Sequence, residues 1–153
     1  MRTARSRGEP DKARCPPWRR PFVSRMINHP QKEAGMKFAL LIYPKPGSHE
    51  ALGADEYESV NAEYWALRDD SRCLGGSHLQ PADSATTVRY GGDQYLIIDG
   101  PFADTKEVLG GYYVVDASNL DGALEFAQRI PAVRLGGAVE VRPLVEVPVE
   151  YAH

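Results

Sequence analysis

Along this chain the apolar positions fall into short blocks separated by proline and glycine, and each block has its own period. Met36 to Tyr43 is an almost continuous apolar run closed by Pro44-Lys45-Pro46-Gly47, which predicts a buried strand ended by turn chemistry. From Asp55 to Asp70, Tyr57, Val60, Tyr64 and Leu67 recur at helical spacing. Asp55, Glu56 and Glu58 stand where the positive end of a helix dipole favours carboxylates. Cys73 to Leu79 predicts a short strand weakened by Gly75-Gly76. Thr86–Tyr90 and Gln94–Asp99 flank Gly91-Gly92-Asp93, the pattern of a β-hairpin.

The second half repeats the strand–helix–strand rhythm. Gly111 to Asp116 lacks polar alternation and is expected to be covered on both faces. Ser118, with Asp121 three residues on, is the expected N-cap of a second helix. That helix is expected to bury Leu120, Ala123, Leu124, Ala127 and Ile130 and to stop at Pro131. Val139, Val141, Val145 and Val147 alternate with Glu140, Arg142, Leu144 and Glu146, a strand buried on one face in which Pro143 marks an edge or a bulge.

The order is therefore β-α-β, a hairpin, β-α-β. With the hairpin removed, this is the split βαβ of a ferredoxin-like α+β fold. Two helices cover one face of such a sheet. The other face carries aliphatic side chains and is expected to be buried against a second copy, giving a homodimer through the sheet.

These elements occupy residues 36–150. Residues 1–35 show neither period, hold nine Lys/Arg against three Asp/Glu, and contain Pro10, Pro16, Pro17, Pro21 and Pro30. They are expected to form a disordered basic extension. Two readings stand for it: a basic arm or partner-binding peptide, or sequence upstream of a true start at Met36, where the pattern begins abruptly. The remainder holds nine basic and eighteen acidic residues, so nucleic-acid binding by the folded domain is not expected. The longest apolar run falls far short of the roughly 20 residues of a membrane span. No apolar segment follows the basic N-terminus in the manner of a secretory signal, and a cytoplasmic protein is expected. Cys15 and Cys73 have no metal-ligand spacing around them and read as unpaired thiols.

Candidate chemistry concentrates in the run from Asp99 to Gly111, Asp-Gly-Pro-Phe-Ala-Asp-Thr-Lys-Glu-Val-Leu-Gly-Gly. Asp99 ends a strand, where it either points into a cleft or accepts hydrogen bonds from its own turn. Phe102 reads as an apolar anchor for the loop or a substrate contact. Lys106 holds an anionic substrate or forms a surface ion pair. Gly110-Gly111 permits close approach of another backbone or a ligand. Outside the run, Glu63 lies on the flank of the first helix's apolar stripe and is a candidate base; the alternative is a solvated helix-edge carboxylate. His78, in the second strand, is a candidate acid/base partner, whereas His29, His49 and His153 fall in tail, loop and terminus. The spacing of Asp99, Asp104 and His78 does not require a metal site. No GxGxxG turn, P-loop or GxSxG elbow is present, so no cofactor is expected.

Several separated motifs resemble the YCII-related proteins of the DGPF type. They are Lys37–Tyr43, Ala62-Glu63-Tyr64, Gly76–Pro81, Ala85–Arg89, the Asp99–Gly111 run, Tyr112-Tyr113, Ala123-Leu124-Glu125 with Arg129-Ile130-Pro131, and Val139–Pro143. The resemblance implies a dimeric ferredoxin-like fold and no defined activity. It associates many members with extracytoplasmic-function sigma factors and a few distant relatives with chlorinated aromatic diols or similar small molecules. Better-studied YCII relatives carry a histidine on the first helix, paired with an aspartate; this chain shows Glu63 there. Two functions follow as expectations. One is a small cofactor-free enzyme of proton transfer or elimination, with Glu63, His78 and Asp99 catalytic and Lys106, Phe102 and Gly110 contacting a small-molecule substrate. The other is a non-catalytic ligand-sensing or interaction module, with a sigma factor as partner.

Overall fold

The computed structural model describes residues 35–147, so the expected disorder of the N-terminal extension lies outside the described residues. Six strands and three helices follow in chain order: β1 Met36–Tyr43, α1 Ala54–Asp69, β2 Cys73–His78, β3 Thr86–Gly91, β4 Gln94–Asp99, β5 Gly111–Ala117, α2 Leu120–Gln128, α3 Pro131–Arg134 and β6 Ala138–Pro143. A 3-10 turn, Ala82–Ser84, precedes β3. Strands β2, β5, β1 and β6 form one sheet in that order, and β3 pairs only with β4. All pairings are antiparallel. Two βαβ units interleaved in this order make the ferredoxin-like α+β fold expected from the sequence.

Register decides which side chains meet the helices. In β1 the alternate residues Phe38, Leu40 and Ile42 are buried, opposite Val115, Tyr113 and Gly111 of β5. They join Leu67, Ala123, Phe126, Ala127, Ile130 and Ala132 in one core. Tyr113 and Phe126 meet edge to face at 5.9 Å, a geometry aromatic pairs favour. On the other side of the sheet lie Ala39, Leu41 and Tyr43 with Tyr112 and Val114.

Several local expectations change. The cap of α2 is Asn119, not Ser118; its side-chain oxygen accepts from Gly122 N–H at 3.0 Å. Leu120 and Leu124, expected inside, are 49% and 39% exposed, while Phe126 is fully buried. The angle at which α2 docks selects the stripe Ala123–Phe126–Ala127 over the equally periodic leucines. Pro131 ends α2 and also opens α3, as its fixed φ suits a first helical position. Strand β6 stops at Pro143, short of the alternation that runs to Val147, and it is a sheet edge. Leu144 N–H still donates to Lys37 C=O at 2.8 Å, so the missing N–H of Pro143 falls on the outer, unpaired edge, where a proline is tolerated.

The hairpin turn has positive φ at both Gly92 (60°) and Asp93 (64°), the type I′ conformation that matches strand twist. Among the described residues no helix is long and apolar enough to cross a membrane.

Candidate functional site

Strand β1 cannot continue through Pro44 and Pro46, and the chain instead coils on itself. Ser48 N–H donates to Lys45 C=O at 3.1 Å, Ala51 N–H to Gly47 C=O at 3.1 Å and Leu52 N–H to His49 C=O at 3.2 Å. Gly47, at φ 75°, takes the left-handed conformation that this coil needs. The coil holds His49 against helix α1, where its Nε2 lies 3.4 Å from the hydroxyl of Tyr64. The two rings are stacked at 6.1 Å. On the other side of the imidazole, Nδ1 lies 3.3 Å from Ser48 Oγ. Either tautomer satisfies both contacts: Tyr64 donates to Nε2 while Nδ1–H donates to Ser48, or Nε2–H donates to Tyr64 while Ser48 donates to Nδ1.

Tyr64 is held from several directions. Its backbone carbonyl accepts from the Tyr113 hydroxyl at 2.9 Å. Burial pushes the Tyr64 hydroxyl above its ordinary pKa, opposed by the backbone of Ala132 and the charge of Arg134. Burial likewise pushes Tyr113 up to about 12. Both phenols therefore keep their protons across the neutral range.

Arg134 joins this cluster to a groove. Its guanidinium grips Glu63 with two parallel bonds, both 2.7 Å, the bidentate geometry arginine makes with carboxylates. Glu63 and Arg134 line an open groove of about 540 Å³ between α1 and the α2–α3 segment, together with Ala66, Leu67, Gln128 and Arg129. Arg129 is itself tied to Asp70 at 2.7 Å.

Among the described residues no hydrogen bond or ion pair joins Glu63, His78, Asp99 and Lys106 to one another. Glu63 is 43% exposed and committed to Arg134. His78 ends β2 opposite Gly111, and it is exposed. Asp99 and Lys106 are exposed on the hairpin and its following loop. The turn after Asp99 is closed by other groups: Gly100 N–H donates to Ala85 C=O and Thr87 Oγ1–H to Gly100 C=O, both at 2.7 Å. Phe102 is no buried anchor, being 75% exposed with the Arg89 guanidinium 5.4 Å above its ring. Gly110 N–H donates to Ile42 C=O at 2.8 Å, and a Cβ there would lie 2.8 Å from Pro44 Cδ, so its place is structural.

Sequence reasoning set His49 aside as a loop residue and read Tyr64 as part of an apolar stripe. The turn-rich Pro-Lys-Pro-Gly-Ser-His segment before a helix was the one signal that the histidine would be held in place. Burial pushes the Cys73 thiol up, which keeps it unreactive. Among the described residues no three metal-ligating side chains cluster.

A solved structure of 5-chloro-2-hydroxyhydroquinone dehydrochlorinase from Burkholderia phenoliruptrix AC1100, in complex with 2,5-dihydroxybenzoquinone, is similar at 19% identity and a TM-score of 0.42. The match covers 73% of this chain and 96% of that one. An uncharacterized protein of Rhizobium meliloti (strain 1021) is 35% identical over 114 residues, which is 71% of this chain and 92% of the relative. The model of the YCII-related domain matches residues 36–148, and the chain belongs to that family.

Proposed function

We propose that this protein is a small enzyme that moves a proton on a small molecule, in a transfer or an elimination, at the Tyr64–His49 pair beside the α1 groove. The observation that carries the reading is the half-buried Tyr64 hydroxyl, bracketed by an imidazole at 3.4 Å and by the charge of Arg134. Imidazole is the side chain best suited to exchange protons at neutral pH. A phenol raised by burial remains a proton donor.

In this reading His49 takes a proton from the substrate through Nε2. The Tyr64 hydroxyl donates one to the oxygen or leaving group on which negative charge develops. Arg134 stabilises that charge, exchanging part of its bidentate hold on Glu63 for the substrate. The roles proposed for sequence reasons at His78, Asp99 and Lys106 are not needed by this arrangement.

A thermal-shift screen of a metabolite library on the full chain tests it, run in parallel on Tyr64→Phe and His49→Ala. Compounds that stabilise the wild type and lose their shift in both variants are expected. Hits retained in full by the two variants would remove the Tyr64–His49 pair from the site.

A further inference from the structure

The groove between α1 and the α2–α3 segment has two cationic ends and an apolar middle. Arg134 stands at one end with Glu63, and Arg129 at the other with Asp70. At about 1.5 Å per residue, Glu63 and Asp70 lie about 10 Å apart along α1. Ala66 and Leu67 line the wall between them, and Gln128 adds an amide beside Arg129. Its volume of about 540 Å³ is in the range of sites that hold small molecules.

The two guanidiniums are committed to different degrees. Both Nη groups of Arg134 donate to the Glu63 carboxylate. The Arg129 side chain donates from Nη1 to Asp70 Oδ2 at 2.7 Å, and a guanidinium has more N–H donors than that bond uses. Asp70 is itself shared, since it also accepts from the backbone and side chain of Arg72. Among the described residues most donors of Arg129 are therefore unspent, on a side chain that is 47% exposed. Arg129 is nevertheless fixed in place, with Asp70 on one edge and the Phe126 ring 5.8 Å from its Cζ. A donor fork ordered before a ligand arrives loses little entropy on binding. The lining sets two guanidiniums against one carboxylate, which suits a ligand of one negative charge. A dianion would bring its second charge against Glu63 and Asp70, on a domain that is already acidic.

We infer that the groove takes a small organic acid of single negative charge, its carboxylate on Arg129 and its apolar body along Ala66 and Leu67. A carboxylate matches the planar fork with parallel hydrogen bonds. The body then reaches toward Arg134, an orientation that rests on the Tyr64–His49 reading for the end that reacts. Arg129 is a specificity-determining anchor and touches no reacting atom.

Magnetic-resonance titration of the isotope-labelled full chain tests it, following the backbone amides of α1 and of residues 128–134. The probes are benzoate, its neutral counterpart benzamide, the dianion phenyl phosphate, and acetate, which lacks the apolar body. Benzoate should bind at millimolar concentration, about tenfold tighter than each of the others. Arg129→Gln should weaken benzoate about tenfold and leave benzamide unchanged. Arg129→Lys keeps the charge beside Asp70, and with it the fold, but loses the fork; it should weaken benzoate by a smaller factor. Equal binding of benzoate and benzamide, tighter binding of phenyl phosphate, or full benzoate affinity in both Arg129 variants would each overturn the inference. So would the absence of any response to benzoate. The Tyr64–His49 reading fails separately. If hits of the metabolite screen survive Tyr64→Phe and His49→Ala but still need Arg129, the anchor stands and the reaction lies elsewhere. If hits need Tyr64 and His49 but are indifferent to Arg129→Gln, the anchor falls and the reading stands.

Discussion

The Nε2 atom of His49 stands 3.4 Å from the hydroxyl of Tyr64 across fifteen residues of sequence. Helix α1 carries no histidine at the Glu63 position, and the β1–α1 coil brings an imidazole to its side instead. A contact of this length adds little stability, so Tyr64→Phe should change the folding free energy by less than about 1 kcal/mol. Chemical denaturation of the full chain checks this. A larger loss would make the hydroxyl a structural group.

Asp70 at the end of α1 accepts from the Arg72 backbone N–H at 2.9 Å, from the Arg72 side chain at 3.0 and 3.1 Å, and from Arg129 at 2.7 Å. The hydrogen bonds from Arg72 hold its carboxyl well below the usual carboxylate range, against the cost of burial. A depressed folded-state pKa stabilises the protein fully above the unfolded value near 3.9, and that stabilisation is lost as pH falls through the folded value. Asp70→Asn should therefore cost about 1–2 kcal/mol between pH 5 and 8, after allowance for solvent screening at the rim. The difference from wild type should shrink progressively below pH 4. Melting curves across that range measure it, and a penalty independent of pH would mean that packing, not charge, is responsible.

The signature turn is organised by Thr87, whose hydroxyl donates to Gly100 C=O at 2.7 Å, and not by the carboxylate of Asp99. Thr87→Val should thus lower stability by about 1 kcal/mol. Asp99→Asn and Asp99→Ala should each stay within about 0.5 kcal/mol of wild type, as exposed substitutions do. If Asp99→Ala proves much worse than Asp99→Asn, an amide-replaceable hydrogen bond from Asp99 must exist.

Gly110→Ala should destabilise by about 1–3 kcal/mol. Its added methyl would meet the Pro44 ring at 2.8 and 2.9 Å, and a proline ring closing a strand has little room to move. Restoring stability with the paired change Pro44→Ala, measured as a double-mutant cycle, would tie the cost to that contact. Additive losses would place the strain elsewhere.

The local pattern was sufficient for most elements of the fold. The apolar run Met36–Tyr43, the Gly-Gly-Asp turn and the helical stripe Val60–Tyr64–Leu67 each encode their own conformation, because period and turn chemistry are local properties. The order of those elements then admits few sheet topologies, and β2-β5-β1-β6 is among them. Only the tertiary structure decided which face of α2 turns inward, since Leu120–Leu124 and Ala123–Phe126–Ala127 are both apolar and docking selects one. It also decided the candidate site. Glu63, His78, Asp99 and Lys106 are chemically able residues, but packing engages Glu63 with Arg134 and leaves the other three exposed. The meeting of His49 with Tyr64, and of Arg134 with Glu63 across 71 residues, depends on a coiled loop and on a helix pair brought together by packing. Such proximity is a property of the assembled layers, and no periodicity in the chain carries it.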